Sequence, residues 1–325
     1  MGKHRGRLGK AARKEAERQA KDDEQHETYE YHMMASQEEA LQPQLPLPDD
    51  DLVQYLITAE QVLQQNTFPS DEDRTVFIHS VFDEIGEKSW LVAAHGDGSR
   101  ILEMLLVASV HYEDAEERIL SLLKGMQGRT LEFCMHLFTS HVVQMVLVLA
   151  ADKIDRAMTK GNMEDGCVKA IQETLMQIVD DEIRTGANML LIDRYGSHVL
   201  RAVMVLLASG QAAQHSDKTV IRSNKSKKFN QKAEKVVAEQ MLMRKRKVPK
   251  AFSGLLAGII KDVARGLDAN RVRELALDPV ASPVLQLCLA LGHESEDEAV
   301  QDAVHNLIDK LLSGYISNPG SYKSH

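Results

Sequence analysis

Four short stretches of the chain place the same kinds of side chain in the same order. They are GSRILEMLL at 98–106, TSHVVQMVL at 139–147, GSHVLRAVM at 196–204 and ASPVLQLCL at 281–289. Numbered from the serine of each, positions +2, +3, +6 and +7 are apolar almost throughout, as in Ile101, Leu102, Leu105 and Leu106. Positions 0, +1 and +4 share the opposite edge of a helix, because +4 lies about one turn above 0. They read Ser99/Arg100/Glu103, Ser140/His141/Gln144, Ser197/His198/Arg201 and Ser282/Pro283/Gln286. Flat Arg and His faces beside groups that hydrogen-bond suit base-by-base reading of single-stranded RNA. Each stacked base is worth about 1–3 kcal/mol. Arg201 suits a phosphate better than a base edge, and Pro283 offers no π face. A serine just before an apolar-periodic run is also the ordinary N-cap, and a proline directly after it the favoured first helical residue.

Side chains arranged for catalysis are missing. The sequence holds no G-x-S-x-G, HExxH, P-loop or G-x-G-x-x-G, and GDGSRI at 96–101 fails the last of these at its final position. Cys134 and His136 stand too close for a usual zinc pair, and no second pair follows. The acidic runs DDD (49–51) and ESEDE (294–298) read as solvated helix starts. Neither enzyme activity, a metal nor a cofactor is expected.

The net charge of −9 conceals a sharp division. Residues 1–21 carry eight Lys/Arg against Glu15 and Glu17, and residues 222–250 carry eleven against Glu234 and Glu239. The rest of the chain is therefore at −24. An acidic body repels nucleic acid, so RNA must meet local patches or the basic segments. Within 222–250 the phosphate contacts expected are Arg222, Lys225, Lys227, Lys228, Arg244, Lys245, Arg246 and Lys247. These would add affinity without sequence information. RKRKVPK at 244–250 also has the character of a nuclear address.

The elements that carry the four motifs read as helices. In LVQYLITAEQVLQQ, Leu52, Tyr55, Leu56, Ala59 and Leu63 recur at spacings of three and four. SDEDRTVFIHSVFDEI at 70–85 opens like a capping box. Further helices are expected near 112–124, 130–151, 168–185, 196–208, 250–266, 269–277, 282–291 and 295–314, and no stretch alternates like a strand. Aromatic residues make up only 5% of the chain, which suits helix-on-helix packing. The motif serines lie 41, 57 and 85 residues apart, with KIDRAMTKGNMEDG at 153–166 read as a polar insertion and 222–250 as a basic one. Repeats joined by loops of variable length are the mark of an α-solenoid. The expectation is an all-α chain in four parts: a disordered basic tail and linker (1–48), a first set of repeats (49–221), the basic insertion (222–250) and a further repeat or repeats (251–325). Cys134, Cys167 and Cys288 read as thiols of a reducing compartment, and the longest apolar run, 145–151, is too short for a bilayer.

The motifs GSRILEMLL, TSHVVQMVL and GSHVLRAVM resemble the RNA-binding helix of Pumilio repeats. RSNKSKKFN at 222–230, VPKAFSGLLAGI, RVRELALDPVASPVLQLCLAL and the start MGKHRGRLGK are similar to one branch, the Pumilio-like nucleolar protein nine family. The resemblance covers about residues 50–292. It implies a curved α-solenoid that binds precursor 18S ribosomal RNA in the nucleolus and supports small-subunit maturation. It also implies pre-ribosomal proteins as neighbours, a monomer, and no membrane. Carried over by position, Ser99/Arg100/Glu103 matches a guanine-reading trio and Ser140/His141/Gln144 an adenine-type trio, while the other two copies depart from the code. Members of that family run to about twice this length, which implies half an array or a shortened form. The competing reading is an armadillo- or HEAT-like scaffold whose groove holds peptides.

Overall fold

The computed structural model describes residues 44–164, 166–208, 241 and 244–316. The basic tail, up to residue 43, and most of the basic insertion lie outside them. The unit beginning at Leu45 opens with α1 (Asp50–Gln65) and α2 (Asp71–Ile85), followed by a 3₁₀ turn at Gly86–Lys88. Among the described residues, twelve helices then fall into four triplets, each a short helix, a motif helix and an outer helix. The first is α3 (Ser89–Ala94), α4 (Gly96–Ala108) and α5 (Ala115–Met126). The second is α6 (Thr130–Cys134), α7 (Thr139–Lys160) and α8 (Gly166–Gln177), which runs on into a π-helical turn at Ile178–Ile183. The third is α9 (Ala187–Ile192), α10 (Gly196–Leu207) and α11 (Ala251–Arg265). The fourth is α12 (Ala269–Leu277), α13 (Ser282–Glu294) and α14 (Glu298–Ile316). The described residues contain no strand.

The motif helices stack in sequence order: α1 packs on α4, α4 on α7, α7 on α10 and α10 on α13. Outer helices close the other side, with α5 on α8 and α11 on α14. The two central motif helices, α7 and α10, therefore meet a like neighbour on either side, the one-dimensional architecture of an α-solenoid. The core follows the period of the motif. Ile101, Leu102, Leu105, Val142, Val143, Val146, Leu147, Val199, Leu200, Val284 and Cys288 are wholly buried. Joints between triplets use specific contacts. Trp90 of α3 stacks on Phe133 of α6 at 4.6 Å and donates its indole N–H to Leu122 O at 3.1 Å. Glu182, on the π turn, accepts the Gly128 and Thr130 N–H groups at 2.9 Å each, holding the start of α6.

Three sequence expectations change. The stretch read as one helix over 130–151 breaks at Met135–Phe138, so α6 and α7 are separate. The short helices α3 and α9 were not foreseen, since six residues are too few to show a period. The supposed polar insertion at 153–166 is, up to Lys160, the second half of α7. Its first polar residues are buried rather than solvated: Lys153 and Asp155 are each 9% exposed, beside the fully enclosed Asp152, while Thr159 and Lys160 at its end are exposed. The capping box at Ser70 holds, its Oγ accepting the Asp73 N–H at 3.1 Å.

Candidate nucleic-acid interface

Each motif helix is entered through a sharp corner from its short helix, and a histidine or aspartate at one fixed position holds that corner. Four positions before the motif serine stands His95, His136, Asp193 or Asp278. His95 Nδ1 accepts the Gly98 N–H at 3.3 Å. His136 Nδ1 accepts from Phe138 and Thr139, both at 3.3 Å. Asp193 Oδ1 accepts from Tyr195 at 2.9 Å and Gly196 at 2.6 Å, and Asp278 Oδ1 from Val280 and Ala281 at 2.8 Å each. In all four corners the serine N–H then bonds back to the carbonyl of this same residue, at 2.8–3.2 Å. The corner residue thus satisfies amides that the start of a helix leaves without partners.

The small residue before the serine has a cause as well. A Cβ on Gly98 would overlap the carbonyl of Val92, and one on Gly196 would press on Leu190. In the second copy Thr139 fills the place and donates its hydroxyl to Phe133 O at 2.6 Å. Val92, Phe133 and Leu190 each lie six residues back on the short helix. The repeated small residue is therefore where the motif helix crosses the short helix most closely.

The serines are not N-caps, and three of them do not face outward. Ser99, Ser140 and Ser197 are 4%, 1% and 1% exposed. Their hydroxyls donate to carbonyls three residues back, Gly96 at 3.0 Å, Leu137 at 3.5 Å and Arg194 at 3.4 Å. The cap position they seemed to fill had already been taken by the corner His or Asp. Ser282 is half-buried, and its Oγ accepts from Gln286 Nε2 at 3.1 Å.

What the edge presents is therefore positions +1 and +4. Arg100, His141, His198 and Pro283 are half-buried and succeed one another across α4, α7, α10 and α13. Arg100 is held in an ion pair with Glu60 of α1 and another with Asp97 at 3.2 Å. Those in-plane bonds use the rim of the guanidinium, not its faces. At +4 Glu103 is buried and Gln144 half-buried, its amide donating to Ser140 O at 3.2 Å. Gln286 is exposed. Arg201 departs from its expected role. It is 3% exposed, donates from Nε to Ser197 O at 3.1 Å and turns Nη2 to His198 Nδ1 at 2.8 Å, a position from which it reaches no outside phosphate. Burial pushes its pKa down to about 10, so it stays charged at neutral pH. An arginine can only donate, so His198 Nδ1 is the acceptor, and the neutral ring carries its proton on Nε2.

The basic segment divides likewise. Arg222, Lys225, Lys227 and Lys228 lie outside the described residues. Arg244 is committed to acids, reaching Asp152 Oδ1 at 2.8 Å and Asp155 Oδ2 at 2.5 Å. Arg246 is 5% exposed and bonded to the Met241 carbonyl; burial, with Arg244 beside it, pushes its pKa down to about 10. These two hold the segment in place instead of reaching out from it, while Lys245 and Lys247 are exposed. The sequence missed the anchor because the paired charges stand 89 and 92 residues apart.

Triplets of short, motif and outer helices stacked with their motif helices side by side define a Pumilio-type, or PUF, repeat protein. The solved structure titled as APUM23 with GGAAUUGACGG shares this fold, at a TM-score of 0.52, 17% identity, and coverage of 83% of this chain and 47% of that one. Residues 87–325 match the NOP9-like PUF repeat domain, and the chain belongs to that family. Relatives named Nucleolar protein 9 include those of Colletotrichum graminicola, 27% identical over 81% of this chain and 38% of the relative, and Blastomyces gilchristii, 30% identical over 75% and 36%. The chain thus spans under two fifths of the length of these two relatives.

Proposed function

We propose that the chain binds single-stranded RNA along the edge formed by the half-buried +1 positions of its motif helices, with +4 beside them where it is accessible. The observation that carries this is the ladder itself. Four like helices present Arg100, His141, His198 and Pro283 in register, over a frame whose other motif positions are buried. Neighbouring helices pack about 8–10 Å apart, so each offers one stacking side chain to one stretch of strand. His141 with Gln144, both half-buried, forms one reading pair, and Arg100 with Glu103 a second whose guanidinium is oriented by Glu60. The names of the relatives and the oligonucleotide named in the APUM23 structure support the same class. On that basis the RNA is precursor 18S ribosomal RNA, the place of action the nucleolus, and the role small-subunit maturation among pre-ribosomal proteins.

Replacing His141 and Gln144 together with alanine tests this. Affinity for the preferred RNA falls about 10-fold or more, as loss of one stacked base requires, while binding to a scrambled RNA barely changes. Equal losses on both RNAs would remove base reading. The exposed apolar side chains Met189, Ile192 and Leu277 on α9 and α12 favour a second reading, a protein-docking scaffold. It predicts capture of protein partners that ribonuclease leaves unchanged.

A further inference from the structure

The far end of α7 holds a cleft of about 490 Å³ that the RNA ladder does not use. Arg156 and Lys160 line it from the helix, and Arg244, Lys245, Arg246 and Lys247 from the returning chain. Six cations therefore face one space, with Asp155 the only carboxylate in its lining among the described residues. Such a cluster is self-repelling unless something offsets it. The two nearby acids are already committed. Asp152 takes Arg156 at 2.7 Å and Arg244 at 2.8 Å, and Asp155 takes Arg244 at 2.5 Å and the Lys247 N–H at 2.8 Å. Those bonds fix the segment on the helix and leave Lys160, Lys245 and Lys247 without a carboxylate partner among the described residues.

We propose that this cleft is a phosphoanion site, filled by a backbone phosphate of the bound RNA. The proposal rests on the RNA-binding reading above and divides the labour within the basic segment. Arg244 is the anchor, spent on Asp152 and Asp155, and the lysines beside it with Lys160 make the contact. The lining favours a phosphate over an acidic peptide, for among the described residues it is made of cations, one carboxylate and Thr159, and its only apolar surface is the alkyl stems of those same cations. The cleft lies 12 to 16 residues beyond Gln144 on the same helix, about 18–24 Å at 1.5 Å per residue. It therefore holds RNA at a second point, away from the bases being read, and adds affinity without sequence preference.

The test compares the full chain with Lys160→Ala/Lys245→Ala/Lys247→Ala, and with Lys124→Ala/Lys169→Ala/Lys261→Ala on the outer helices. Binding of a labelled single-stranded RNA and of its scrambled version is followed across a salt series. The first variant should lose about 10-fold on both RNAs at low salt, and its slope of log K against log salt should be shallower by about 2, near 0.7 per lost contact. The outer-helix variant should match the parent chain. If the two variants behave alike while His141→Ala/Gln144→Ala still abolishes selectivity, the cleft proposal fails and base reading stands. If the parent chain binds no RNA, the functional reading fails, and calorimetry with pyrophosphate decides the cleft. Pyrophosphate binding lost only in the first variant keeps it as a phosphoanion site, and no binding removes it. Tighter binding of poly-glutamate than of RNA would assign the cleft to an acidic protein and overturn the proposal.

Discussion

The first two triplets and the last two share a frame and differ in what they expose. In α4 and α7 the corner residue is histidine, and the +1 side chain is a half-buried Arg or His. In α10 and α13 the corner residue is aspartate; Arg201 is folded down onto His198, and Pro283 replaces the flat side chain altogether. The features present four times are the small residue, the buried or half-buried serine, the acceptor four residues before it and the apolar stripe. Each has a mechanical reason within its own corner. The features that change from copy to copy are +1, half-buried in every copy, and +4, which runs from buried (Glu103, Arg201) to exposed (Gln286). Within this one chain, repetition marks the scaffold, and on the proposed reading variation marks recognition.

Substitutions can break or sharpen that contrast. Among single substitutions, the largest effect expected on RNA binding is at the fourth copy. Pro283→His gives α13 the stackable group it lacks, and RNA affinity should rise about 5-fold or more, at the low end of one stacked base. An unchanged affinity would mean that this triplet lies off the RNA track. Next come the corners. Asp193→Ala and Asp278→Ala each remove the acceptor of two amides and should cost about 1–2 kcal/mol, read by urea unfolding. Ser197→Ala removes only a hydroxyl bonded within its own helix and should cost about 0.5–1 kcal/mol. A serine effect larger than the aspartate effect would restore the serine as the cap.

The smallest effect separates the histidine corners from the aspartate ones. Burial lowers the pKa of His136 below its usual 6.5, so the folded chain keeps the ring neutral with Nδ1 free to accept. The unfolded chain then binds more protons as pH falls. This part of the stability is present above pH 6.5 and shrinks as pH drops below it. In His136→Asp the corner is built as in the third and fourth triplets. Its melting temperature should fall less between pH 7.5 and 5.5 than that of the parent (the pH values are about one unit either side of 6.5). Parallel curves would show that His136 does not titrate with folding.

Most of the fold was legible because the apolar stripe obeys the helical period. The borders of α12 and the start of α13 came directly from it. The corners were not legible, for a physical reason. A cap is sought immediately before the periodic run, where serine is a strong candidate, and here the true acceptor stands four residues earlier on the far side of a bend. Histidine is also an unusual cap. A signal was present all the same: HGDGS, HLFTS, DRYGS and DPVAS each set an imidazole or carboxylate four places before the serine. The burial of Asp152 and Asp155 had no local signal, because composition shows a polar segment and the neutralising Arg244 arrives from about 90 residues away. Of the candidate interface, +1 was legible and +4 only half so, since whether a side chain such as Arg201 folds down or reaches out is decided by its neighbours.

The most direct measurement is equilibrium binding of the full chain and of His141→Ala/Gln144→Ala to one precursor 18S ribosomal RNA segment and its scrambled counterpart, at fixed salt. The account predicts a clear preference for the native sequence in the parent chain and its collapse in the variant, with the scrambled RNA bound alike by both. A variant that keeps the preference, or a parent chain that shows none, would contradict it.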